Sequence, residues 1–205
     1  MPQQRPFGRF WPCGKRPSAA RPEKRRALEH SNTHDLRKKT AINSAYYYYL
    51  MQKENELVGI IVKNVQNIEI DLSYIVAYDI IFSEFKKRGG EMPTDVYEKV
   101  EAKAVGVMNA MSESTFGYAY EQALKTDCVN QKICDRIGKV LDDRNFVIHK
   151  MYRGDTSWMY ENNENEKTIP PVVKYLTKVV NESQNLSRSL SKIRTNLEKE
   201  YNNIT

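Results

Sequence analysis

The sequence predicts an all-α protein, and three observations support this fold class. Between residues 54 and 88 the apolar side chains recur in steps of three and four, which is the spacing of an amphipathic helix. Residues 172–197 show the same steps as a regular a/d heptad. No stretch alternates strongly enough between apolar and polar residues to predict a strand, and no segment is repeated. The 205 residues are enough for one helical domain with a buried core.

Residues 1–42 differ from the rest in composition and predict a disordered basic arm. Residues 1–40 hold five of the eight prolines and 11 Lys/Arg against 3 Asp/Glu, whereas the later residues hold 21 Lys/Arg against 23 Asp/Glu. A segment without apolar periodicity cannot bury enough surface to offset the entropy lost on ordering. Three interpretations stay open: a nucleic-acid-binding tail, an Arg-rich transit peptide, or an upstream extension with Met51 as the natural start. Residues 43–205 then form the helical domain, with a net charge near zero.

Two helices are expected in the first half of this domain. The first runs from Glu54 to about Arg88, as one helix or as two with a bend, and Gly89-Gly90 ends it because glycine breaks helices. Thr94 is the expected N-cap of the second helix, Asp95 to about Met111, since a threonine hydroxyl can accept a bond from a free N–H of the first turn.

Three further helices are expected after residue 112. A short segment runs through Leu124, and a fourth helix starts near Asp127 and directs its apolar side chains to the core as far as Leu141. Residues 153–171 are rich in Asn and Glu and predict a loop. The long C-terminal helix, 172–201, carries the heptad stripe. The stripe either pairs with a second copy of the chain or packs on its own domain, and Ser183 favours the second because it weakens a coiled-coil seam.

Several common kinds of site are absent from the sequence. No Gly-rich phosphate loop, nucleophile elbow, His-Glu-x-x-His pair or calcium loop is present. Cys13, Cys128 and Cys134 form no Cys-x-x-Cys pair and lack the four well-spaced ligands of zinc, so we expect no metal, no cofactor and reduced thiols. No apolar run reaches the roughly 18–20 residues of a membrane span, and no secretory pattern begins the chain. We expect a cytoplasmic protein that does not associate with membranes.

One stretch, Leu141–Lys150, holds residues with catalytic potential. Arg144 stays charged and offers a planar fork of donors that suits a phosphate. His149, the one histidine after residue 40, can take or give a proton near neutral pH. Together they supply what RNA cleavage without a metal requires: a group that activates the ribose 2′-OH or protonates the leaving oxygen, and a group that stabilises the charge of the phosphorane.

The spacing of this pair restricts how the two side chains can meet. Residues five apart on a regular α-helix point about 140° away from each other. Arg144 and His149 therefore converge only across a helix junction, or where two chains meet, as at the two-fold axis of a dimer. The alternative is an ordinary pair of charged side chains on the surface.

The segment Arg144-Asn145-Phe146-Val147-Ile148-His149 resembles the R-x4-6-H motif of HEPN domains, including the polar residue that often follows the arginine. HEPN domains are small α-helical bundles, and many are dimeric, metal-independent endoribonucleases of toxin–antitoxin and phage-defence systems. The surroundings are also similar: a long first helix contains Ile68-Glu69, and Ser114-Thr115-Phe116-Gly117 precedes the penultimate core helix. The resemblance covers residues 54–200 in helix order, although only the six-residue motif is specific.

The resemblance implies roles for four residues. Arg144 would bind the scissile phosphate, His149 would act in proton transfer, Asn145 would orient the pair, and Glu69 would be a polar residue of the cleft. The implied partners are RNA, a second copy of the chain in a homodimer, and an antitoxin or second defence protein.

Three functions stay open on the sequence. The first is a HEPN-type ribonuclease acting as a toxin or abortive-infection effector. The second is a non-catalytic module that uses the same cleft for a nucleotide, an RNA or a protein, and the near-neutral charge of the domain favours it mildly because RNA enzymes usually have a basic groove. The third is an assembly protein whose heptad helix pairs chains.

Overall fold

The structure is a computed structural model that describes residues 22–153, 156–160 and 169–204, with side chains described from residue 43 onward except that of Tyr160. The chain divides into two compact units, Met1–Tyr47 and Tyr48–Thr205. The described residues are mostly helical and include no strand, which confirms the all-α prediction. The elements are α1 (Pro22–Lys87), α2 (Thr94–Ser112), α3 (Phe116–Ala123), α4 (Gln131–Asn145), a π-turn (Phe146–Lys150), a 3-10 turn (Ser157–Tyr160) and α5 (Pro171–Ile204).

The first helix begins earlier than the sequence predicts. Residues 22–42 have helical backbone and belong to α1, which is continuous to Lys87, whereas residues 1–21 of the predicted arm lie outside the described residues. Pro22 suits the first helical position because its missing N–H would find no partner there. Residues 22–42 are also rich in Lys, Arg, Ala, Leu and Glu, which are good helix formers.

The core of the second unit is built from the apolar faces of α1, α4 and α5. Each fully buried Leu or Ile contributes about 1.5–3 kcal/mol relative to an exposed one. None of the helices in the described part of the chain has a stretch that is both long and apolar enough to cross a membrane. The side chains of this core with almost no exposure include Ile61, Ile68, Leu72, Ile75, Ile137, Val140, Leu176, Leu186 and Leu190.

The heptad stripe of α5 packs on its own domain. Its residues from Val172 to Leu190 are buried within a single chain. Ser183, at the centre of the stripe, is fully buried; its Oγ accepts a hydrogen bond from Asn64 Nδ2 of α1 at 2.9 Å and donates one to Val180 O at 2.9 Å. The serine that would weaken a coiled coil is therefore the hydrogen-bond partner that a buried amide of α1 requires.

The predicted end of α1 is correct, and the predicted cap of α2 is wrong. Gly89 and Gly90 follow α1 with φ of 74° and 92°, a left-handed conformation that glycine adopts without strain. Thr94 is not the N-cap: it is the first residue of α2, and Pro93 precedes it with an extended backbone and no capping side chain. The Pro93 carbonyl accepts bonds from Val96 N–H at 3.0 Å and Tyr97 N–H at 2.9 Å, so the helix starts one residue earlier than predicted.

The start of α4 also differs from the prediction. The helix begins at Gln131 and not near Asp127, because Asn130 caps it: the Asn130 side-chain oxygen accepts a bond from Ile133 N–H at 3.0 Å. The predicted loop 153–171 contains the 3-10 turn, while residues 154, 155 and 161–168 lie outside the described residues.

Candidate active site

A change of helix type positions Arg144 and His149. The chain leaves α4 at Asn145 and continues as the π-turn, which is closed by a bond of 2.7 Å from Met151 N–H to Phe146 C=O. Bonding from residue i to i+5 widens the turn by one residue, so that a side chain lies nearly above the one five positions earlier. Arg144 Nη1 and His149 Nε2 are accordingly 3.4 Å apart within one chain. The two side chains therefore converge across a helix junction within one chain, which is the first of the two arrangements that their spacing allows.

Packing from the core side holds the π-turn in place. The Phe146 ring lies against Tyr175 of α5, edge to face at 5.6 Å between centroids, and against Trp158 of the 3-10 turn at 6.4 Å. Val147 and Met151 are buried, whereas His149 is exposed. The apolar side chains of the turn therefore anchor it, and the histidine remains accessible to a substrate.

Hydrogen bonds orient the guanidinium of Arg144. Its Nη1 donates to Asn145 Oδ1 at 3.0 Å and lies at 3.4 Å from His149 Nε2. Arginine has donors only, so in the tautomer with its proton on Nδ1 the lone pair of Nε2 can accept from it. A general base uses the same lone pair, which becomes available when the guanidinium turns to a phosphate. The half-buried guanidinium keeps further N–H donors for an anionic ligand.

Glu69 lies on α1 within electrostatic range of this pair. Its carboxyl is half buried; burial raises its pKa above the usual value, and the positive charge of Arg144 acts in the opposite direction. The structure thus brings together Arg144, Asn145 and His149 by direct contact and places Glu69 beside them. All four residues predicted for the site lie in one region.

Comparison with protein-family models, with curated proteins and with solved structures finds no match for this chain. The chemistry of these residues, and the motif that they form, are the indications of function that the molecule offers.

Two tyrosines that sequence reasoning missed support the site. Tyr175 Oη donates to Asp143 Oδ1 at 3.0 Å, which ties α5 to the residue before Arg144. Tyr152 Oη donates to Glu54 Oε2 at 3.2 Å and ties the end of the π-turn to α1. Burial and the glutamate raise the pKa of Tyr152 to about 12, so the phenol keeps its proton and acts as a donor. The acidic partners are visible in the sequence, but the tyrosines are 32 and 98 positions away from them.

The two described cysteines, Cys128 and Cys134, take no part in this site. Cys128 and Cys134 are free thiols, and Cys13 lies outside the described residues. Burial and a contact of 3.2 Å with Asp79 Oδ1 raise the pKa of Cys128 to about 12, so that this thiol is not a nucleophile near neutral pH. Within the described ranges, no three His, Cys, Asp or Glu side chains gather as a metal site would require.

The raised pKa of Glu69 predicts that Glu69→Gln makes the protein more stable at neutral pH. The folded state binds this proton more tightly than the unfolded state, so the free energy of unfolding falls as pH rises through the window above 4.5 and then stays level. Glutamine is neutral at every pH, so the variant avoids this decrease in the free energy of unfolding. The gain is of the order of a few tenths of a kcal/mol, because water screens a half-exposed carboxyl.

Thermal unfolding of the wild type and of Glu69→Gln at pH 7 and pH 4 measures this effect. We expect the variant to have the higher Tm at pH 7 and the difference to shrink at pH 4. Glu98→Gln, an exposed glutamate of α2, is the matched control and should change Tm at neither pH. A lower Tm for Glu69→Gln at pH 7 would mean that its attraction to Arg144 outweighs burial.

Proposed function

We propose that this chain is a metal-independent endoribonuclease of the HEPN type that acts as a toxin or an anti-phage effector. The observation that carries the proposal is the approach of Arg144 Nη1 to His149 Nε2 at 3.4 Å. A permanent cation and an imidazole are thereby available to one phosphodiester. The resemblance of residues 144–149 to the HEPN motif adds the reaction class.

The reaction follows from the two functional groups. The guanidinium of Arg144 binds the scissile phosphate through charge-assisted bonds and displaces its own contact with Nε2. His149 Nε2 takes the proton of the ribose 2′-OH as O2′ attacks phosphorus, and the arginine stabilises the negative charge of the phosphorane. The bond from phosphorus to the 5′ oxygen then breaks, and that oxygen receives a proton from the imidazolium or from water. The products end in a 2′,3′-cyclic phosphate and a 5′-hydroxyl.

Asn145 has a positioning role in this proposal. Its side-chain oxygen accepts a bond from the same Nη1 that faces His149, and so limits rotation of the guanidinium. Preorganised donors stabilise a transition state more than donors that must first be ordered.

A homodimer remains part of the proposal, although one chain already brings Arg144 and His149 together. Ile148, next to His149, is exposed on the same turn. A second copy that covered this apolar side chain would place two Arg–His pairs near one RNA strand. An antitoxin or a second defence protein would bind the same region to control activity.

A non-catalytic module is the second candidate, and the charge balance favours it. The residues after position 40 contain 21 Lys/Arg and 23 Asp/Glu, whereas proteins that bind nucleic acid usually present a clearly basic surface. Such a module would bind a nucleotide, an RNA or a protein in the same cleft without breaking a bond.

Incubation of the purified protein with labelled single-stranded RNA separates these candidates. We expect fragments with 2′,3′-cyclic phosphate ends, formed at the same rate with and without EDTA. An RNA whose 2′-hydroxyls are all methylated should not be cleaved, because it has no attacking oxygen. Binding without any fragments would support the non-catalytic module, and activity that EDTA removes would overturn the proposed mechanism.

A further inference from the structure

A groove lies between α1 and the turn that connects α2 to α3. It encloses about 350 Å³ and has both apolar and polar walls. Ile70, which is 51% exposed, and the buried Met111 provide the apolar surface. Glu69 links the groove to the candidate active site, because it lines the groove and its carboxyl is acted on by the charge of Arg144. The groove and the candidate active site therefore have Glu69 in common.

The polar groups of the groove are almost all hydrogen-bond acceptors. Ser73, Ser112 and Ser114 each donate their only hydroxyl proton to a backbone carbonyl three or four residues earlier, at 2.6–2.8 Å. Their oxygens consequently offer lone pairs to the groove, and the carboxyl oxygens of Glu69 are further acceptors. The side-chain amide of Gln66 is the one lining side chain that combines donors with an acceptor. The groove fits a ligand that donates hydrogen bonds.

The positive charge of Arg144 restricts which hydrogen-bond-donating ligands suit the groove. A cationic amine would match the acceptors and would be attracted by the carboxyl of Glu69, but the guanidinium of Arg144 would repel it. A neutral, flat ligand with N–H donors can bond to the acceptors without being repelled by Arg144. Its ring can lie on Ile70 and Met111. Adenine, cytosine and guanine carry an exocyclic amine with two N–H donors, whereas uracil has a single ring N–H flanked by two carbonyl oxygens that would face a wall of acceptors.

We propose that this groove binds the nucleobase next to the scissile phosphate and selects bases that carry an exocyclic amine over uracil. The inference rests on the proposed function, since an RNA phosphate on Arg144 is what brings a base to the groove. Glu69 is the acceptor with the largest share in the selection, because a hydrogen bond to a carboxylate is stronger than one to a hydroxyl.

The test uses strands of 2′-O-methyl RNA with a single ribose, so that one linkage can be cleaved, and varies the bases on both sides of it. We expect kcat/KM to be about 10-fold higher with cytosine than with uracil at the selected position, which is the usual scale for one good contact to a base edge. Pyrimidin-2-one riboside, which is cytidine without its amine, should react like uridine. Glu69→Gln should reduce the preference for cytosine to about threefold or less, and Glu98→Gln should leave it unchanged.

The outcomes of this test distinguish a failure of the proposed base selection from a failure of the proposed ribonuclease activity. Cleavage without a preference for amine-bearing bases, or a preference that persists in Glu69→Gln, contradicts the proposed base selection by the groove. Neither result contradicts the proposed ribonuclease activity. Absence of cleavage in every strand overturns the ribonuclease. In that case the affinity of fully 2′-O-methylated oligo(C) and oligo(U), measured by fluorescence anisotropy, decides the groove: a preference of about 10-fold for oligo(C) that Glu69→Gln removes supports it, and equal affinities refute it.

Discussion

Replacement of either Arg144 or His149 by alanine should abolish RNA cleavage while the protein stays folded. Loss of a general base typically lowers a rate 10²–10⁴-fold, and loss of an arginine that stabilises a phosphoryl transition state lowers it about 10³–10⁵-fold. Arg144→Lys should be nearly as defective as Arg144→Ala, because lysine keeps the charge but lacks the planar fork of donors. His149 is exposed and Arg144 half buried, so each change should alter the free energy of unfolding only slightly.

Single-turnover cleavage of labelled RNA measures these losses, and expression in a bacterium scores growth inhibition in parallel. Lys150→Ala is the matched control, since it removes an exposed cation next to His149 and should retain most of the activity. Circular dichroism establishes that each variant is folded. Activity that survives both Arg144→Ala and His149→Ala would contradict the mechanism. An equal loss of activity in Lys150→Ala would indicate that RNA is attracted by positive charge in general.

Replacement of Leu186 by alanine should destabilise the domain by about 2–5 kcal/mol, the range found for buried leucines. Leu186 lies on the heptad stripe of α5 and has no exposed surface in the single chain. The loss would be a large part of the roughly 5–15 kcal/mol that stabilises a typical domain. Because α5 packs in cis, the damage should appear in the unfolding of the chain and not in its assembly.

Urea unfolding and sedimentation together test this packing. Leu197→Ala is the comparison, because Leu197 continues the same stripe but is only partly buried, and it should cost clearly less than Leu186→Ala. We expect the oligomeric state of Leu186→Ala to equal that of the wild type. A variant that dissociates into stable, folded monomers would instead show that the stripe pairs two chains.

Local patterns in the sequence predicted much of the fold. The apolar steps of three and four identified α1 and α5, and Gly89-Gly90 marked the end of α1, because these signals act over one or two helical turns. The identity of Arg144 and His149 as a candidate pair was also a local pattern. The errors were local too: proline at position 93 and asparagine at position 130 moved two helix starts by a few residues.

Long-range contacts could not be predicted from these patterns. The bond from Asn64 to Ser183 joins residues 119 positions apart, and nothing in either neighbourhood indicates the other. The groove that contains Glu69 depends in the same way on how α1 lies against the turn after α2. The arrangement of its serines as acceptors is a property of side-chain rotamers, which the sequence does not specify.

The sequence by itself determined which residues carry charge and protons, and that the chain is helical. Only the tertiary structure decided that Arg144 and His149 meet. A regular helix would point two residues five apart about 140° away from each other. The packing of Phe146 on Trp158 and Tyr175, with Val147 and Met151 buried below, stabilises a π-turn in place of a further α-turn. Replacing an i to i+4 hydrogen bond by an i to i+5 bond adds one residue to the turn. The side chains of Arg144 and His149 therefore come together on one side of the helix.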